Sequence, residues 1–398
     1  MSKPLSDRYD YILLLAGLSG LTALAIDIAL PATGAVARDL GVPEGLGALL
    51  VGVYFLAFAI GQLFWGILSD VFGRKRILQI SLVFFVLASI GCAFSTNFWV
   101  LIGFRALQGL AGGAPVIARA IVRDISSGTA AAKLLAVLMA VSGIAPMVAP
   151  IIGAGLLELS AWPSVFVFLA IFGGILLIAG QGILQKTVTP AHPDRLSFKF
   201  ISTACGFLFT QRDFLVGVGI GAFTFGGYAS ILSLGAVVTE ERYAVSPAMF
   251  SWLFALGAGF LLLGTLVIRA FLGRLGMRKL VGWSVVALGI ATVVNVGMLF
   301  IDPTLTVFWA SICVYTFAFG MVLPTSSALA MEPAGDMPGF ASSMLGSVQM
   351  AVGAVGAGLS SVLYNGSHSA ISGTMVIFGT LTVGCLLLAR IYDRRKPA

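Results

Sequence analysis

The sequence predicts an all-α membrane protein whose twelve transmembrane helices form two six-helix, pseudo-symmetric bundles. Three observations carry this prediction. The 398 residues are 59% hydrophobic and only 10% charged, whereas a soluble domain carries about 25% charged residues. Twelve apolar runs are each long enough to cross a bilayer, which takes about 20 residues. A repeat then relates the second half of the chain to the first. Mean hydropathy is +1.05, and the 49 glycines suit helices whose backbones approach closely in lipid.

The runs lie at 10–32, 46–69, 77–95, 99–121, 132–157 and 163–185, and then at 213–238, 248–271, 279–300, 304–328, 340–364 and 369–391. The first is not expected to be a cleaved leader, because it carries Asp27 inside and continues through Pro31 without a small-residue cleavage site. Net charge is +7, but the basic residues sit between apolar runs and follow topology rather than a nucleic-acid surface. With the N-terminus inside, Arg38 and Arg242 fall in outer loops and Arg105 within a helix, while the other 20 of the 23 Lys and Arg are cytoplasmic. Both termini are therefore expected in the cytoplasm.

The longest connection, Lys186 to Arg212, holds Pro190 and Pro193 and divides the runs six and six. The expected organisation is an N-terminal bundle at 1–186, a cytoplasmic linker at 187–212 and a C-terminal bundle at 213–398. A shift of 203 residues sets Gly61-Gln-Leu63 on Gly264-Thr-Leu266, and Gly153-Ala-Gly-Leu156 on Gly356-Ala-Gly-Leu359. One offset matching in separated places marks parallel repeats.

Four cysteines (Cys92, Cys205, Cys313, Cys385) stand alone without metal-type spacing, as do His192 and His368. They read as small apolar residues and loop residues, not as a metal site. No phosphate loop, nucleophile elbow or paired-histidine motif is present, so an enzyme is not expected and neither is a metal or other cofactor.

Asp27 is the one acid deep inside a predicted span. Burying its charge costs about 2.5–3.5 kcal/mol on insertion scales, and taking up a proton removes that cost. Asp27 thus reads either as a proton-coupling group or as an acid permanently paired to a neighbouring helix. Arg105 is the one base at comparable depth and must face a cavity or a counter-ion. Asp27 is the expected neighbour, directly or through water and Gln108. The stretch Gly61 to Arg76 leaves an apolar run through Asp70 and Gly73 into Arg74-Lys75-Arg76. It fits a positive-inside membrane exit equally well as a functional loop. Pro146 and Pro150, with Gly153, should bend the fifth span and let it pack closely.

These residues resemble the major facilitator superfamily. Gly61 to Arg76 matches the signature between its second and third helices, and Arg105-Ala-Leu-Gln108-Gly109 matches its fourth. Ala145-Pro146-Met-Val-Ala149-Pro150-Ile-Ile-Gly153 is similar to the antiporter motif of drug:proton exporters, with alanines at 149 and 154 where many members have glycine. Asp27-Ile-Ala-Leu-Pro31 and Arg119-Ala-Ile-Val-Arg123-Asp124 are similar to the Bcr/CflA multidrug exporters.

The resemblance implies a monomeric transporter of a bacterial inner membrane. It would be driven by the proton gradient and would act on small amphiphilic compounds such as antibiotics. It implies a gating latch of Asp70, Arg74 and Asp124 beside Gly61, Gly73 and Lys75, in which the loop acid caps the eleventh helix. It also implies a seal between the halves at Pro146, Pro150 and Gly153. For substrate, the expected contacts are Asp27, Tyr54, Arg105 and Gln108, joined by Phe223, Tyr228, Tyr315 and Gln349 from an aromatic set that also includes Phe225 and Phe319. A proton-coupled uptake symporter is the alternative. A membrane enzyme or a channel lacks a supporting constellation.

Overall fold

The computed structural model describes residues 8–184, 198–335 and 337–395. Every regular element among them is helical, as a bilayer requires when no water can satisfy a backbone group. Twelve helices are long and apolar enough to span.

In the first half these are α1 (Tyr9–Asp27), continued by the short α2 (Thr33–Asp39), then α3 (Leu49–Phe72) and α4 (Arg74–Ala93). α5 (Phe98–Leu110) continues into α6 (Ala114–Ile125), followed by α7 (Gly128–Leu159) and α8 (Pro163–Ile183). In the second half they are α10 (Arg212–Tyr243), α11 (Pro247–Phe271), α12 (Met277–Met298), α13 (Leu305–Met331), α14 (Pro338–Leu363) and α15 (Ser369–Arg395). All twelve expected runs coincide with helices. Two of the spans are interrupted, which hydropathy does not register.

The connection between the halves is partly helical. α9 (Phe198–Thr210) occupies much of the expected linker, while Pro190, His192 and Pro193 lie outside the described residues.

The first interruption follows from Pro31. Proline has no N–H to give the carbonyl of Asp27, so the α-helix stops there. The chain passes through a 3₁₀ turn at Leu30–Ala32 before α2 resumes. The second falls at Ala111-Gly112-Gly113, where α5 meets α3. Trp65 Nε1 donates to the carbonyl of Leu110 at 2.6 Å, satisfying an acceptor that the break leaves open.

The repeat is visible in three dimensions. Gly153 of α7 rests on the carbonyl of Ile28 after α1, and Gly356 of α14 rests on the carbonyl of Gly226 in α10. The two glycines, 203 positions apart, thus make the same kind of close contact with a backbone carbonyl of the first span of their half.

Call the end that carries the α3–α4 loop the motif end. The halves meet at the opposite, far end. There the turn at Leu30–Ala32, α2 and the 3₁₀ turn Glu44–Ala48 all pack on helices of the second half. α3 and α14 also pack closely, from Gly52 beside Ala357 to Gly66 beside Ser343. α7 meets α11, and Ser251 Oγ of α11 donates to the Pro150 carbonyl at 2.8 Å.

Candidate functional site

Asp27 ends α1 at the break that Pro31 imposes, and it is buried. Among the described residues no hydrogen bond or ion pair holds its carboxylate. A carboxylate at a helix C-terminus also faces the negative end of the helix dipole. The carboxylate is within electrostatic range of Tyr54 of α3 and Tyr228 of α10. The second of these belongs to the other half of the molecule.

Arg105 is fully buried in α5, but it does not pair with Asp27. Its Nη1 donates to Gln108 Oε1 at 2.7 Å and to the Ala25 carbonyl at 3.2 Å, and its Nε donates to the Leu50 carbonyl at 3.2 Å. Gln108 Nε2 in turn donates to Ser89 Oγ of α4 at 2.7 Å. The guanidinium lies 4.6 Å above the Tyr54 ring centre, a cation–π distance.

Of the two expected arrangements the direct ion pair is not formed, while Arg105 does bond Gln108 and the Ala25 carbonyl, two residues from Asp27. A lone buried arginine can be satisfied by carbonyls and one amide as well as by an acid, and here it ties α1, α3 and α4 to α5. Nη2 remains buried without a partner. Ser89 was missed in the sequence, where a single serine in an apolar run gives no sign of its partner.

Pro146 and Pro150 lie inside α7. The backbone around them serves two contacts: Gly153 on the Ile28 carbonyl, next to Asp27, and the Pro150 carbonyl with Ser251 across the halves. One segment thus touches both the α1 break and the second half.

At the motif end, Gly73 has φ +93°. That left-handed conformation lets α3 pass into α4 through a single residue and favours glycine. Arg74 is thereby turned inward. It pairs with Asp70, and its Nε lies 2.9 Å from Asp124 while its Nη1 donates to Ser69 Oγ at 2.7 Å. Lys75 Nζ donates to the Gln181 and Leu184 carbonyls at 2.7 and 2.5 Å, and Gly61 packs on the Leu110 carbonyl where α3 crosses α5. A cavity of about 470 Å³ is lined by Asp70, Arg74 and Asp124 and by Pro338, Phe340 and Ser343 of α14. The loop acid and the first turn of the eleventh span thus share one cavity.

The structure separates the remaining candidates. Tyr228 stacks on Phe319 with ring centres 4.6 Å apart. Phe225 touches Tyr228, Phe319 and, at 5.5 Å across the halves, Phe55. Phe223 points elsewhere, toward the Gly219 side of α10, because two helical residues turn the side chain by about 200°. Tyr315 is fully buried and its hydroxyl donates to the Thr224 carbonyl at 3.1 Å, an internal bond of the second half. Gln349 packs beside Gly221, and its Nε2 is buried without a partner. Phe55 is a residue the sequence did not single out.

Residues 13–357 match the model of the Major Facilitator Superfamily. Among curated proteins, the chain is 32% identical over 383 residues to the uncharacterized MFS-type transporter YdgK of Bacillus subtilis, covering 96% of this chain and 94% of that protein. It is 28% identical to the bicyclomycin resistance protein homolog of Haemophilus influenzae, with 87% of each covered. It is also 28% identical to multidrug resistance protein D of Escherichia coli, with 95% of each covered. Among solved structures, a bacterial homolog of the human lysosomal transporter Spinster, in an inward-facing and unoccupied conformation, has a TM-score of 0.78 over 100% of both chains at 16% identity.

Proposed function

The chain belongs to the Major Facilitator Superfamily, a family of transporters rather than enzymes, and on that premise we propose that it exports small amphiphilic compounds in exchange for protons. The observation that carries this reading is Asp27. It is a buried acid at a helix break, without a cation partner, and in electrostatic reach of both halves through Tyr54 and Tyr228. Such a group can carry a proton when closed off and release it when water reaches it.

Alternating access supplies the sequence of events. The motif end faces the cytoplasm of a bacterial inner membrane and both termini lie on that side, following the distribution of Lys and Arg. With the far end closed, a compound enters from the motif end and lodges between the Asp27–Tyr54 wall and the aromatic group of Phe225, Tyr228 and Phe319. Its arrival favours loss of the proton from Asp27 to the cytoplasm. The halves then rock, the compound leaves outward, and Asp27 takes a proton from outside. Arg105 with Gln108 holds the wall in place. The cluster of Arg74, Asp70 and Asp124 is the latch that opens and closes the motif end. The names of the multidrug and bicyclomycin resistance relatives agree with this substrate class. The protein acts as a monomer with its halves at 1–186 and 213–398, and it uses the proton gradient without a cofactor.

The test is drug susceptibility of a pump-deficient bacterial host carrying wild type or Asp27→Asn, paired with everted vesicles whose lumen has been acidified. Export predicts resistance from wild type only, and an alkaline shift of the lumen when drug is added to wild-type vesicles. Full resistance from Asp27→Asn would refute the role of Asp27. A further acid shift of the lumen would instead indicate symport.

A further inference from the structure

The seam between α3 and α14 holds a buried amide that the fold does not use. Phe55 and Gln62 share one face of α3, and Gly353 and Gly346 share one face of α14, each pair being seven residues apart. Phe55 and Phe225 meet at Gly353, where a Cβ would stand 3.4 Å from the Phe55 ring and would collide with that of Phe225. Two turns toward the motif end, about 10 Å along the helix, the Gln62 amide takes the equivalent position against Gly346. A Cβ on Gly346 would stand 2.8 Å from Gln62 Oε1 and 3.4 Å from its Nε2, so the amide fills the space of the missing side chain.

Gln62 is only 5% exposed, and its Nε2 has no hydrogen-bond partner among the described residues. An amide donor left unpaired in a dry interior costs stability, and an apolar residue of like size would pack there without that cost. Ser347 Oγ and Gln349 Nε2, on the same turns of α14, are also buried without partners.

The related position in the second half behaves differently. Gly61 and Gly264, 203 positions apart, are each seated on a carbonyl of their own half, that of Leu110 and that of Phe317. Thr265, which follows Gly264, is satisfied at home, its hydroxyl bonding the Leu261 and Gly320 carbonyls at 3.2 and 3.0 Å. Gln62, which follows Gly61, crosses the seam to the other half instead.

Gln62 also stands on the way in. The motif-end cavity of about 470 Å³ is lined by Leu63 and Gly66 of α3 and by Ser343 of α14, one turn from Gly346. Two turns beyond Gln62 are the rings of Phe55 and Phe225. A compound moving from the cavity to the aromatic group passes the amide.

We propose that Gln62 selects among the exported compounds, its Nε2 donating a hydrogen bond to a carbonyl oxygen while Phe55 and Phe225 take the apolar part. The favoured substrates are amphiphiles that carry an amide, ester or ketone oxygen. Compounds without such an acceptor leave the amide unpaired and gain nothing from it.

The inference rests on the export reading for the path, but it is tested by binding, which needs no transport. Purified full-length protein in detergent is titrated with two groups of radiolabelled probes. Chloramphenicol and puromycin carry amide carbonyls; tetraphenylphosphonium and ethidium carry none. In Gln62→Met the Kd of the carbonyl group should rise about fivefold to tenfold, the loss of one hydrogen bond. The Kd of the other group should stay at the wild-type value, and the unfolding temperature should equal or exceed that of wild type. Gly346→Ala keeps the glutamine but displaces its amide, and should weaken the carbonyl group selectively as well. The inference is overturned if neither variant separates the two groups, if Gln62→Met unfolds well below wild type, or if wild type binds no carbonyl-bearing probe. Full resistance from Asp27→Asn, which would refute the export role of that acid, leaves these Kd ratios untouched.

Discussion

Gly153 of α7 is seated directly on the main-chain carbonyl of Ile28, one residue beyond Asp27. No other residue type fits there without moving α7 away from the α1 break, so the glycine of the fifth-span motif sets how closely that wall approaches the acid. The neighbouring Pro150 carbonyl is held by Ser251 of the second half. A shift of α7 would therefore be felt at both places.

Gly153→Leu should cost stability by overpacking, about 1–3 kcal/mol, and should lower resistance by at least the same proportion as the loss of folded protein. Gly155→Ala, where a Cβ meets open space, should leave both near wild type. Thermal unfolding in detergent together with susceptibility assays distinguishes the pair. Equal behaviour of the two variants would contradict the close approach at Gly153.

Arg105→Lys should fail to rescue transport. The guanidinium reaches Gln108 Oε1 and the carbonyls of Ala25 and Leu50 together, and an ammonium lacks that planar fork. Gln108→Ala should cost about 1–3 kcal/mol by leaving buried groups unpaired, with partial transport retained. Unfolding midpoints and drug uptake into everted vesicles would show the difference.

Arg74→Ala should loosen the motif end, because it strips Asp70, Asp124 and Ser69 of a shared partner that is nearly buried. Breaking a buried pair from one side costs about 3–5 kcal/mol. Thiol labelling of Ser343→Cys, which lines the adjoining cavity, should be accelerated several-fold. Lys75→Ala, whose bonds are to carbonyls at the end of α8, should label close to the wild-type rate.

Phe225→Ala should change the spectrum of compounds resisted, since its ring joins Phe55, Tyr228 and Phe319 between the halves. Phe223→Ala, on the opposite face of α10, should leave that spectrum unchanged. A panel of minimum inhibitory concentrations, normalised to protein level, tests the contrast.

Drug-driven lumen alkalinisation in everted vesicles should depend on pH in wild type and vanish in Asp27→Asn, while Asp27→Glu should keep the titration with a reduced rate. A proton flux unchanged in the asparagine variant would move proton coupling to another group.

Much of this was legible in the sequence because bilayer physics leaves few choices. Twenty apolar residues in a row have to be helical, so the runs predicted the spans to within a few residues, and the 203-residue offset paired Gly153 with Gly356, each of which the structure seats on a backbone carbonyl. Less was legible where an outcome depends on direction. Phe223 and Phe225 are equivalent as composition, but opposite in placement because a helix turns. The Asp27–Arg105 expectation rested on opposite charge at similar depth, which carries no information about nearby carbonyls. The ion pairs of Arg38 with Glu44 and, across the halves, with Glu240 were invisible because Arg38 and Glu240 lie 202 residues apart.

The sequence by itself determined the twelve spans, the pseudo-symmetric halves and the isolation of one acid and one base in apolar surroundings, because these follow from local hydropathy and backbone chemistry. Only the tertiary structure decided which partners those groups have. Arg105 went to Gln108 and two carbonyls, Arg74 to Asp70 and Asp124, and Glu241 to Tyr364. The physical reason is that a polar group in a dry interior takes whichever donor or acceptor packing brings within about 3 Å, and packing is a property of the whole chain.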